Sequence, residues 1–347
     1  MLEKIRELAR EIRSLEAARS TAAASIRAQS EGEYEGAYEK SLLVSVQEMP
    51  INAKVCASDA GILCGQQHGI DLLVCRSVAV LFTYENSRLS THKYHPSALP
   101  PFSFEAGGSL DLHELSLLNS LFRLKEELSV SISAIERFSP DYFLLDGSIA
   151  PLVSDKPAED SPLRAQYSEV ISLYKTLYET CTKKNCSLLG VIKDSRGKRF
   201  LEILQKRFEE KALQTSSDSS FLHHLLREGE RTFSFSYSIT PSRHQILRDL
   251  DAWAEKISAF YIKPSPLDRP LRCEFLSGKR TFDEIASFIY SLSKINRKYA
   301  YPAILIEADM RAALSPDELE RVKKDLCVAA GFPPSLMNLR RDERPFR

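Results

Sequence analysis

The chain has 347 residues, of which 43% are hydrophobic and 27% charged, and its 47 lysines and arginines equal its 47 aspartates and glutamates. This composition is typical of a globular protein, and no apolar stretch approaches the roughly 18 residues needed to span a bilayer. The seven cysteines are scattered without a C-x-x-C pair, which argues against a disulfide framework or a zinc ribbon and predicts a cytoplasmic location.

Residues 1–30 are predicted to form an amphipathic helix, because apolar residues recur at three- and four-residue spacing between Glu and Arg. These apolar residues are Leu2, Ile5, Leu8, Ile12 and Leu15. Such a stripe packs either on its own domain or on a partner subunit, and the sequence leaves both possibilities open. Residues 30–40 are rich in Glu, Gly and Ser, which predicts a linker. We therefore separate residues 1–40 from the domain that follows.

Two apolar segments, Asn52–Ile62 and Asp71–Tyr84, follow with a glycine-containing turn between them. They predict an antiparallel hairpin. Residues 86–108 contain several prolines and a pair of glycines, and they are predicted to be irregular. His92 and His95 are spaced so that a helix could present both to a metal, but the proline that follows them favours a loop.

The middle of the chain alternates helix and strand. A helix is predicted over Leu110–Phe138, and a short buried strand follows it and ends at Asp146. A second helix over Ser161–Lys183 then precedes the apolar strand Ser187–Ile192. A strand–helix–strand order of this kind predicts a right-handed parallel crossover.

The second half of the chain is predicted to be mostly helical. The strand candidates are Thr232–Ile239, Phe260–Lys263 and Leu271–Leu276, and the helices are Phe282–Lys298, Pro302–Leu314 and Asp317–Ala330. The whole order predicts an α/β fold: a ribonuclease-H-like mixed sheet flanked by helices, with additional helical elements at the N- and C-terminal ends. We take residues 41–330 as one domain and residues 331–347 as a basic C-terminal tail.

Two aspartates lie on short apolar strands, each near a glycine. They are Asp59, in Ser58-Asp59-Ala60-Gly61, and Asp146, in Leu144-Leu145-Asp146-Gly147-Ser148. Either segment alone reads as a turn, because Asp and Gly are common turn formers. Carboxylates held on two buried strands are also a suitable site for hard divalent cations. In the ribonuclease-H-like arrangement such a pair supports two-metal phosphodiester cleavage.

A third carboxylate is expected from the helix between these strands. Glu126 and Glu127 lie in its middle, and both remain candidates as metal ligands. Glu127 is the better placed of the two, because it is in register with Leu124 and Ser131 beside the apolar stripe. The alternative is a pair of glutamates that face solvent.

Two later segments add candidate residues. Lys193 and Asp194 end the next strand, where Lys193 could contact a scissile phosphate and Asp194 could be a further ligand. A capped helix start with an exposed lysine is the alternative. Glu307 and Asp309 lie on a helix that begins near Pro302 and could reach the same site if that helix packs on the sheet.

Basic residues cluster at three places, although the net charge of zero counts against a nucleic-acid partner. The clusters are Lys193, Arg196, Lys198 and Arg199; Lys294, Arg297 and Lys298; and the C-terminal residues 340–347. Each is either a binding surface or a solvated face.

The order and spacing of these motifs resemble the NurA nuclease family, prokaryotic DNA-end-processing enzymes with a ribonuclease-H-like core. The resemblance spans residues 45–315. It rests on the Asp59 and Asp146 motifs, the helix with Glu126 and Glu127, Val191-Ile192-Lys193-Asp194-Ser195, and Tyr301-Pro302 with Glu307-Ala308-Asp309. Relatives often have Asp-Gly at the first motif, whereas here Ala60 intervenes before the glycine.

The resemblance implies an Mn²⁺- or Mg²⁺-dependent deoxyribonuclease that uses two ions. Asp59, the helix glutamate and Asp146 would bind metal, and Lys193 would assist at the phosphate. Asp309 would stand where some relatives have a histidine. The expected substrates are single-stranded DNA and duplex ends, cut endo- and exonucleolytically in 5′–3′ resection during double-strand break repair.

The family acts as a homodimer docked to a HerA-type hexameric ATPase that translocates DNA. The resemblance therefore makes the N-terminal helix a candidate for the dimer or translocase contact. A non-catalytic adaptor that binds DNA or the translocase is the alternative function. A junction resolvase or transposase on the same sheet is a third, and it would incise particular DNA structures instead of resecting ends.

Overall fold

The structure, a computed structural model, describes residues 2–108, 110–278, 280–331, 333 and 339. The strands are β1 Leu43–Ser45, β2 Ala53–Gln67, β3 Ile70–Glu85, β4 Arg88–His95, β5 Ser103–Gly107, β6 Tyr142–Asp146, β7 Ser187–Ile192, β8 Glu230–Thr232, β9 Phe235–Ser236, β10 Ile257–Lys263 and β11 Leu271–Leu276. The helices are α1 Leu2–Arg27, α2 Leu112–Phe138, α3 Arg164–Lys183, α4 Arg199–Gln205, α5 Lys211–Gln214, α6 Asp218–Leu225, α7 Phe282–Leu292, α8 Ala303–Ala312 and α9 Pro316–Ala330. Short 3₁₀ helices cover Val153–Asp155, Pro241–Arg243 and Leu247–Lys256.

The described strands form one mixed sheet whose order is β1-β8-β10-β11-β7-β6-β2-β3-β4, with β5 beside β3 and β9 beside β10. Strands β2, β3 and β4 are antiparallel, and β6 and β7 then add to β2 in parallel. Three antiparallel strands come first, and helix α2 then leads to the parallel strands β6 and β7. This order confirms the predicted ribonuclease-H-like sheet. The predicted hairpin is also confirmed, with longer strands that meet at a turn at residues 68–69.

The second half has more residues in helices than in strands, as predicted, and its strand candidates are present: Leu271–Leu276 is β11, Phe260–Lys263 is the end of β10, and Thr232–Ile239 contains the end of β8 and all of β9. Beyond β7 the sheet continues through β11, β10, β8 and β1, and each of these pairings is antiparallel. Two of these strands have only three residues each, which is too short for an alternating pattern to identify. The helices predicted near the C-terminus are present as α7, α8 and α9.

The prediction of an irregular segment over residues 86–108 was wrong. Most of it forms β4 and β5, which pair with β3. The sequence of β4 is almost entirely polar because β4 lies at the edge of the sheet with most of its side chains exposed. His95 contacts Ser133, with 2.8 Å between Nε2 and Oγ, and His92 lies three residues away on the same strand. Residues three apart on a strand face opposite sides, so the two imidazoles cannot share a metal.

Helices cover both faces of the sheet. One apolar core lies between the sheet and helices α2 and α3, and a second lies between the sheet and helices α7 and α8. Helix α2 starts where the Asp111 carboxylate accepts hydrogen bonds from two backbone N–H groups and Glu114 completes the capping box. The capping box fixes where helix α2 begins, and its buried apolar residues form the face that meets the sheet.

Helix α1 packs only by its C-terminal part. Ala22, Ala23 and Ile26 are buried in a third core with helices α4 and α6. The apolar stripe of its N-terminal half is exposed: Leu2, Ile5, Leu8, Ile12 and Leu15 are each 45–70% accessible. The sequence left open whether this stripe packs on its own domain or on a partner subunit. Among the described residues it does not pack on its own domain.

Residues 30–40, predicted to be a linker, contact the body of the protein. Tyr34 is buried, and its ring lies 4.9 Å from that of Phe233. No described helix combines the length and the apolar character that a membrane crossing requires. Most of the predicted basic tail, residues 331–347, lies outside the described residues.

Candidate active site

Asp59 and Asp146 lie side by side on neighbouring parallel strands. Ser58 of β2 pairs with Leu145 of β6, so the two aspartates are the next residues along each strand. Asp146 is the last residue of β6, as predicted, whereas Asp59 lies inside a longer β2. Neighbours in register on parallel strands point to the same face of the sheet. The sheet therefore presents the two carboxylates together.

Glu127 approaches this pair from helix α2. The Ser131 and Ser58 hydroxyl oxygens are 2.7 Å apart and join α2 to β2 directly before Asp59. Residues four apart lie on one helix face, so Glu127 is one turn from this contact. Its side chain is buried, and its charge acts on Asp59 and Asp146. We call Asp59, Glu127 and Asp146 the acidic site.

Glu126 does not turn toward the acidic site. Its carboxylate accepts a hydrogen bond from Ser103 on β5. The expectation that Glu127 is better placed than Glu126 thus agrees with the geometry, because the register with Leu124 and Ser131 reflects the face that packs on the sheet.

Two cations and a tyrosine hold the acidic site. Arg123 Nη1 lies 2.7 Å from Glu127 Oε2, and Lys193 Nζ lies 2.9 Å from Asp146 Oδ2. The Tyr301 hydroxyl lies 2.8 Å from the other oxygen, Asp146 Oδ1. Lys193, predicted to act near a phosphate, is therefore in direct contact with one of the aspartates.

Burial raises the pKa of two of these carboxyl groups. Burial is the main cause that raises the pKa of Asp59 to about 6; the Ala60 N–H opposes it, and the charges of Asp146 and Asp309 add to it. Burial likewise raises the pKa of Glu127 to about 7 despite the ion pair with Arg123. For Lys193, burial is the largest single cause and lowers the pKa, but the hydrogen bonds and charges of Asp146 and Tyr299 together outweigh it, so the pKa is raised. The pKa values of Asp59 and Glu127 therefore lie near neutral pH.

The acidic site has the donor chemistry of a hard cation. It supplies carboxylate oxygens only, and these are the ligands that Mn²⁺ and Mg²⁺ prefer. As the side chains stand, no three His, Cys, Asp or Glu residues within the described part of the chain converge closely enough to hold a metal. Arg123 and Lys193 occupy carboxylate oxygens instead, so these ion pairs must rearrange for an ion to bind.

The loop after Asp146 crosses over β7. Gly147 has φ +136°, and the loop continues to Ser148, whose hydroxyl donates to Glu274 Oε2 at 2.6 Å. The Ile149 N–H donates to the same oxygen at 3.2 Å. Glu274 is itself buried and paired with Arg272 at 2.8 Å. A buried ion pair on β11 therefore fixes the loop that begins at Asp146.

Replacing Gly190 with alanine is expected to disturb this loop. A Cβ at Gly190 would lie 2.4 Å from the Gly147 carbonyl oxygen and 3.0 Å from Ile149. Overpacking against backbone costs about 1–3 kcal/mol, so G190A should lower the free energy of unfolding, measured with urea, by that amount. The matched control is G278A, since a Cβ at Gly278 has no neighbour closer than 3.9 Å. Equal stability of G190A and G278A would contradict the crossing.

Three other predicted residues lie around the site without joining it. Asp194 is exposed and 3.3 Å from Arg269. Glu307 on α8 accepts hydrogen bonds from Tyr94 and Arg311. Asp309, on the same helix, is exposed, and its charge contributes to the raised pKa of Asp59.

The sequence gives no role to Tyr301 or Glu274, although both contact the acidic site or its loop. The spacing of Arg123 and Glu127 is a detectable signal, because residues four apart on a helix pair readily. Tyr301 belongs to a motif of the resemblance, but neither its contact with Asp146 nor that of Glu274 with Ser148 has a local signal, because the partners lie more than 120 residues apart along the chain.

Comparisons with known proteins agree with this architecture. The family model of the NurA domain matches residues 64–314. The structure of the NurA nuclease from Sulfolobus solfataricus is 17% identical over 95% of this chain and 97% of that one, with a TM-score of 0.57. A structure of NurA bound to dAMP and manganese is 10% identical over 97% and 98% of the two chains, also with a TM-score of 0.57. No protein of curated function matches the sequence.

Proposed function

Since the chain belongs to the NurA nuclease family, we propose that it is a divalent-metal-dependent deoxyribonuclease that hydrolyses phosphodiester bonds at the acidic site. The observation that carries the proposal is that Asp59 and Asp146 lie side by side on neighbouring parallel strands, and that Glu127 of helix α2 is close enough to interact with the charges of both. Neighbouring carboxyl groups, some of them with pKa values raised by burial, are typical of a metal-assisted phosphoryl-transfer site.

Asp59, Glu127 and Asp146 would hold Mn²⁺ or Mg²⁺, and two ions is the number we propose. The solved NurA structures with manganese support this choice of metal. When bound, such ions supply Lewis-acid stabilisation of the phosphoryl oxygens and an activated water. Glu126 is proposed only as an outer residue, because its carboxylate is bonded to Ser103.

The chain's own residues orient these groups. The Tyr301 hydroxyl contacts one oxygen of Asp146 and the Lys193 ammonium contacts the other, so together they fix the orientation of this carboxylate. Lys193 is the cation nearest Asp146, and we propose that it contacts the scissile phosphate once the carboxylate turns to a metal. Asp309 is proposed to act on charge alone, through its effect on Asp59.

The first test is digestion of end-labelled single-stranded and duplex DNA with Mn²⁺, with Mg²⁺ and with EDTA. We expect cleavage with either metal, none with EDTA, and product ladders that fit 5′–3′ resection. A protein that binds DNA but leaves it uncut with both metals, and that binds no Mn²⁺ by calorimetry, would support the non-catalytic adaptor instead.

We also propose that the exposed stripe of α1 contacts a second copy of the chain or a HerA-type hexameric ATPase during break repair. Leu8 and Ile12 are 50% and 59% exposed, although both lie on the apolar face. A row of exposed apolar side chains on one helix face is typical of protein interfaces.

The L8D/I12D variant should lose association while it still cuts single-stranded DNA. Light scattering reports the self-association and co-purification reports the ATPase contact. The control is R10D/R13D, which places the same residue type on the polar side of the same helix. Equal loss of association in both variants would show that helix stability, and not the stripe, was affected.

A further inference from the structure

A second, larger cleft adjoins the acidic site. A cleft of about 210 Å³ is lined by Arg123, Glu127 and Asp146, and it extends to Leu152. Leu152 also lines a neighbouring cleft of about 850 Å³. Ser148 of the first cleft donates a hydrogen bond to Glu274 of the second. The two clefts are therefore adjacent on the surface, with Leu152 at their junction.

One wall of the larger cleft is cationic. It is formed by the loop after β7 and the start of α4, and it carries Arg196, Lys198 and Arg199. Lys193 contacts Asp146 and lies three residues before Arg196. The Cα atoms of Lys193 and Arg196 are therefore at most about 11 Å apart. Neither the Arg196 nor the Lys198 side chain forms an ion pair or hydrogen bond within the described part of the chain. We call Arg196, Lys198 and Arg199 the basic wall.

Arg199 is only partly satisfied. Its Nη1 lies 3.6 Å from Glu202 Oε2, and Nε and Nη2 are buried without a hydrogen-bond partner among the described residues. A buried guanidinium without partners is costly, and an anion near it would relieve that cost. The chain as a whole has no net charge, so this concentration of cations is a local feature.

Apolar side chains also line the larger cleft. Ile239 is 40% exposed and Leu152, at the junction with the smaller cleft, is 54% exposed. Tyr237 lines the cleft as well, with the Arg272 guanidinium 5.3 Å from its ring centroid. A basic surface beside exposed apolar side chains is suited to single-stranded nucleic acid, with phosphates on the cations and bases on the apolar groups.

We propose that this larger cleft binds the backbone of a single polynucleotide strand that extends from the acidic site, with phosphates on the basic wall and bases against Tyr237 and Ile239. The identity of the ligand rests on the proposed nuclease function. Duplex DNA fits less well, because its bases are stacked in pairs and cannot reach the apolar side chains.

The test removes the two unpaired cations of the basic wall. We would measure binding of a fluorescein-labelled oligothymidylate by anisotropy in EDTA, so that no cleavage occurs. In R196Q/K198Q the loss of two phosphate contacts should lower the slope of log K against log salt by about 1.4 and weaken binding roughly 20-fold at 0.1 M salt. Hydrolysis of bis(p-nitrophenyl) phosphate with Mn²⁺ should be unchanged, because that diester fills only the acidic site.

The matched control is K54Q/R88Q. Both residues are exposed, neither forms an ion pair within the described residues, and both lie at the end of the β2–β3 hairpin away from Asp146. A separate variant, I239S, should weaken oligothymidylate binding several-fold with no change in salt slope. The same oligonucleotide as a duplex and inorganic phosphate serve as competitors, and the single strand should compete best.

The outcomes separate this inference from the proposed function. The strand site in the larger cleft is overturned, and the nuclease proposal stands, if the protein cleaves DNA but R196Q/K198Q binds oligothymidylate as tightly as wild type. The same conclusion follows if K54Q/R88Q weakens binding as much as R196Q/K198Q does. Strand binding that depends on the basic wall without any cleavage supports the cleft and rejects the nuclease. No binding by the wild-type protein, or competition by inorganic phosphate equal to that of the single strand, overturns the cleft as a strand site.

Discussion

Replacing Asp59 with asparagine is expected to abolish Mn²⁺-dependent DNA cleavage and, in metal-free buffer, to raise the melting temperature. The loss of cleavage, about a thousandfold or more, follows from the loss of a charged oxygen ligand between the two strands. The gain in stability follows from the cost of keeping this carboxylate ionised where burial and neighbouring acids raise its pKa to about 6. Relative to an ordinary value of 3.8, that cost is on the order of 3 kcal/mol at pH 8.

The amide keeps the shape of the side chain and can still accept from the Ala60 N–H, which donates to Asp59 Oδ1 at 2.7 Å. We expect a net gain of about 1–3 kcal/mol, because an amide is also costly to bury. Thermal unfolding in EDTA measures the stability, and cleavage of labelled single-stranded DNA measures the activity. D160N is the control, since Asp160 is exposed and should change neither quantity. A D59N protein that cuts DNA at the wild-type rate would reject Asp59 as a metal ligand.

The metal-free protein should lose stability as the pH rises from about 4 to 8. The pKa values of Asp59 and Glu127 are about 6 and about 7 in the folded chain, above the ordinary values of 3.8 and 4.5. Between the two sets of values the folded chain holds protons that the unfolded chain has already released. Stability therefore falls as the pH rises through this window, by up to about 3 kcal/mol for each group.

Bound Mn²⁺ should reverse this trend. The ion needs deprotonated ligands, so its stabilising effect should increase over the pH range in which the metal-free protein weakens. Urea unfolding from pH 4.5 to 8, in EDTA and in excess Mn²⁺, provides the comparison. D59N/E127Q serves as the control and should flatten the EDTA curve. A wild-type protein whose stability in EDTA rises across the same range would show that these carboxyl groups are not protonated as their burial predicts.

The sequence singles out the candidate residues of the acidic site where the signal is local. Asp59 and Asp146 stand out because each is a charged residue on an apolar strand, and Glu127 stands out through its register with the packed face of the helix. The order of these elements is enough to predict the parallel pairing that brings them together, because few topologies satisfy it.

Other parts of the site depend on contacts that no local pattern records. The loop from Asp146 is held by Glu274, which lies on a strand with no distinguishing composition. Strand β4 is polar because it lies at an edge, and an edge strand lacks the alternation from which strands are recognised. The larger cleft is lined by residues near 150, 196 and 239, and only the folded chain brings them together.

The pairing of β1 with β8 has a consequence for the order of folding. Leu43 pairs with Thr232, whereas the strands that carry the acidic site are complete once residue 192 is present. During synthesis the N-terminal strand must therefore wait for nearly 190 further residues before its sheet partner exists, while β2, β6 and β7 can already associate. Contacts that close such long loops form late, because the loop entropy is lost before the pairing is gained. The central sheet should thus emerge from the ribosome as an early folding unit, and a nascent chain stopped near residue 200 should protect the β2–β6 pairing while β1 stays open to proteases.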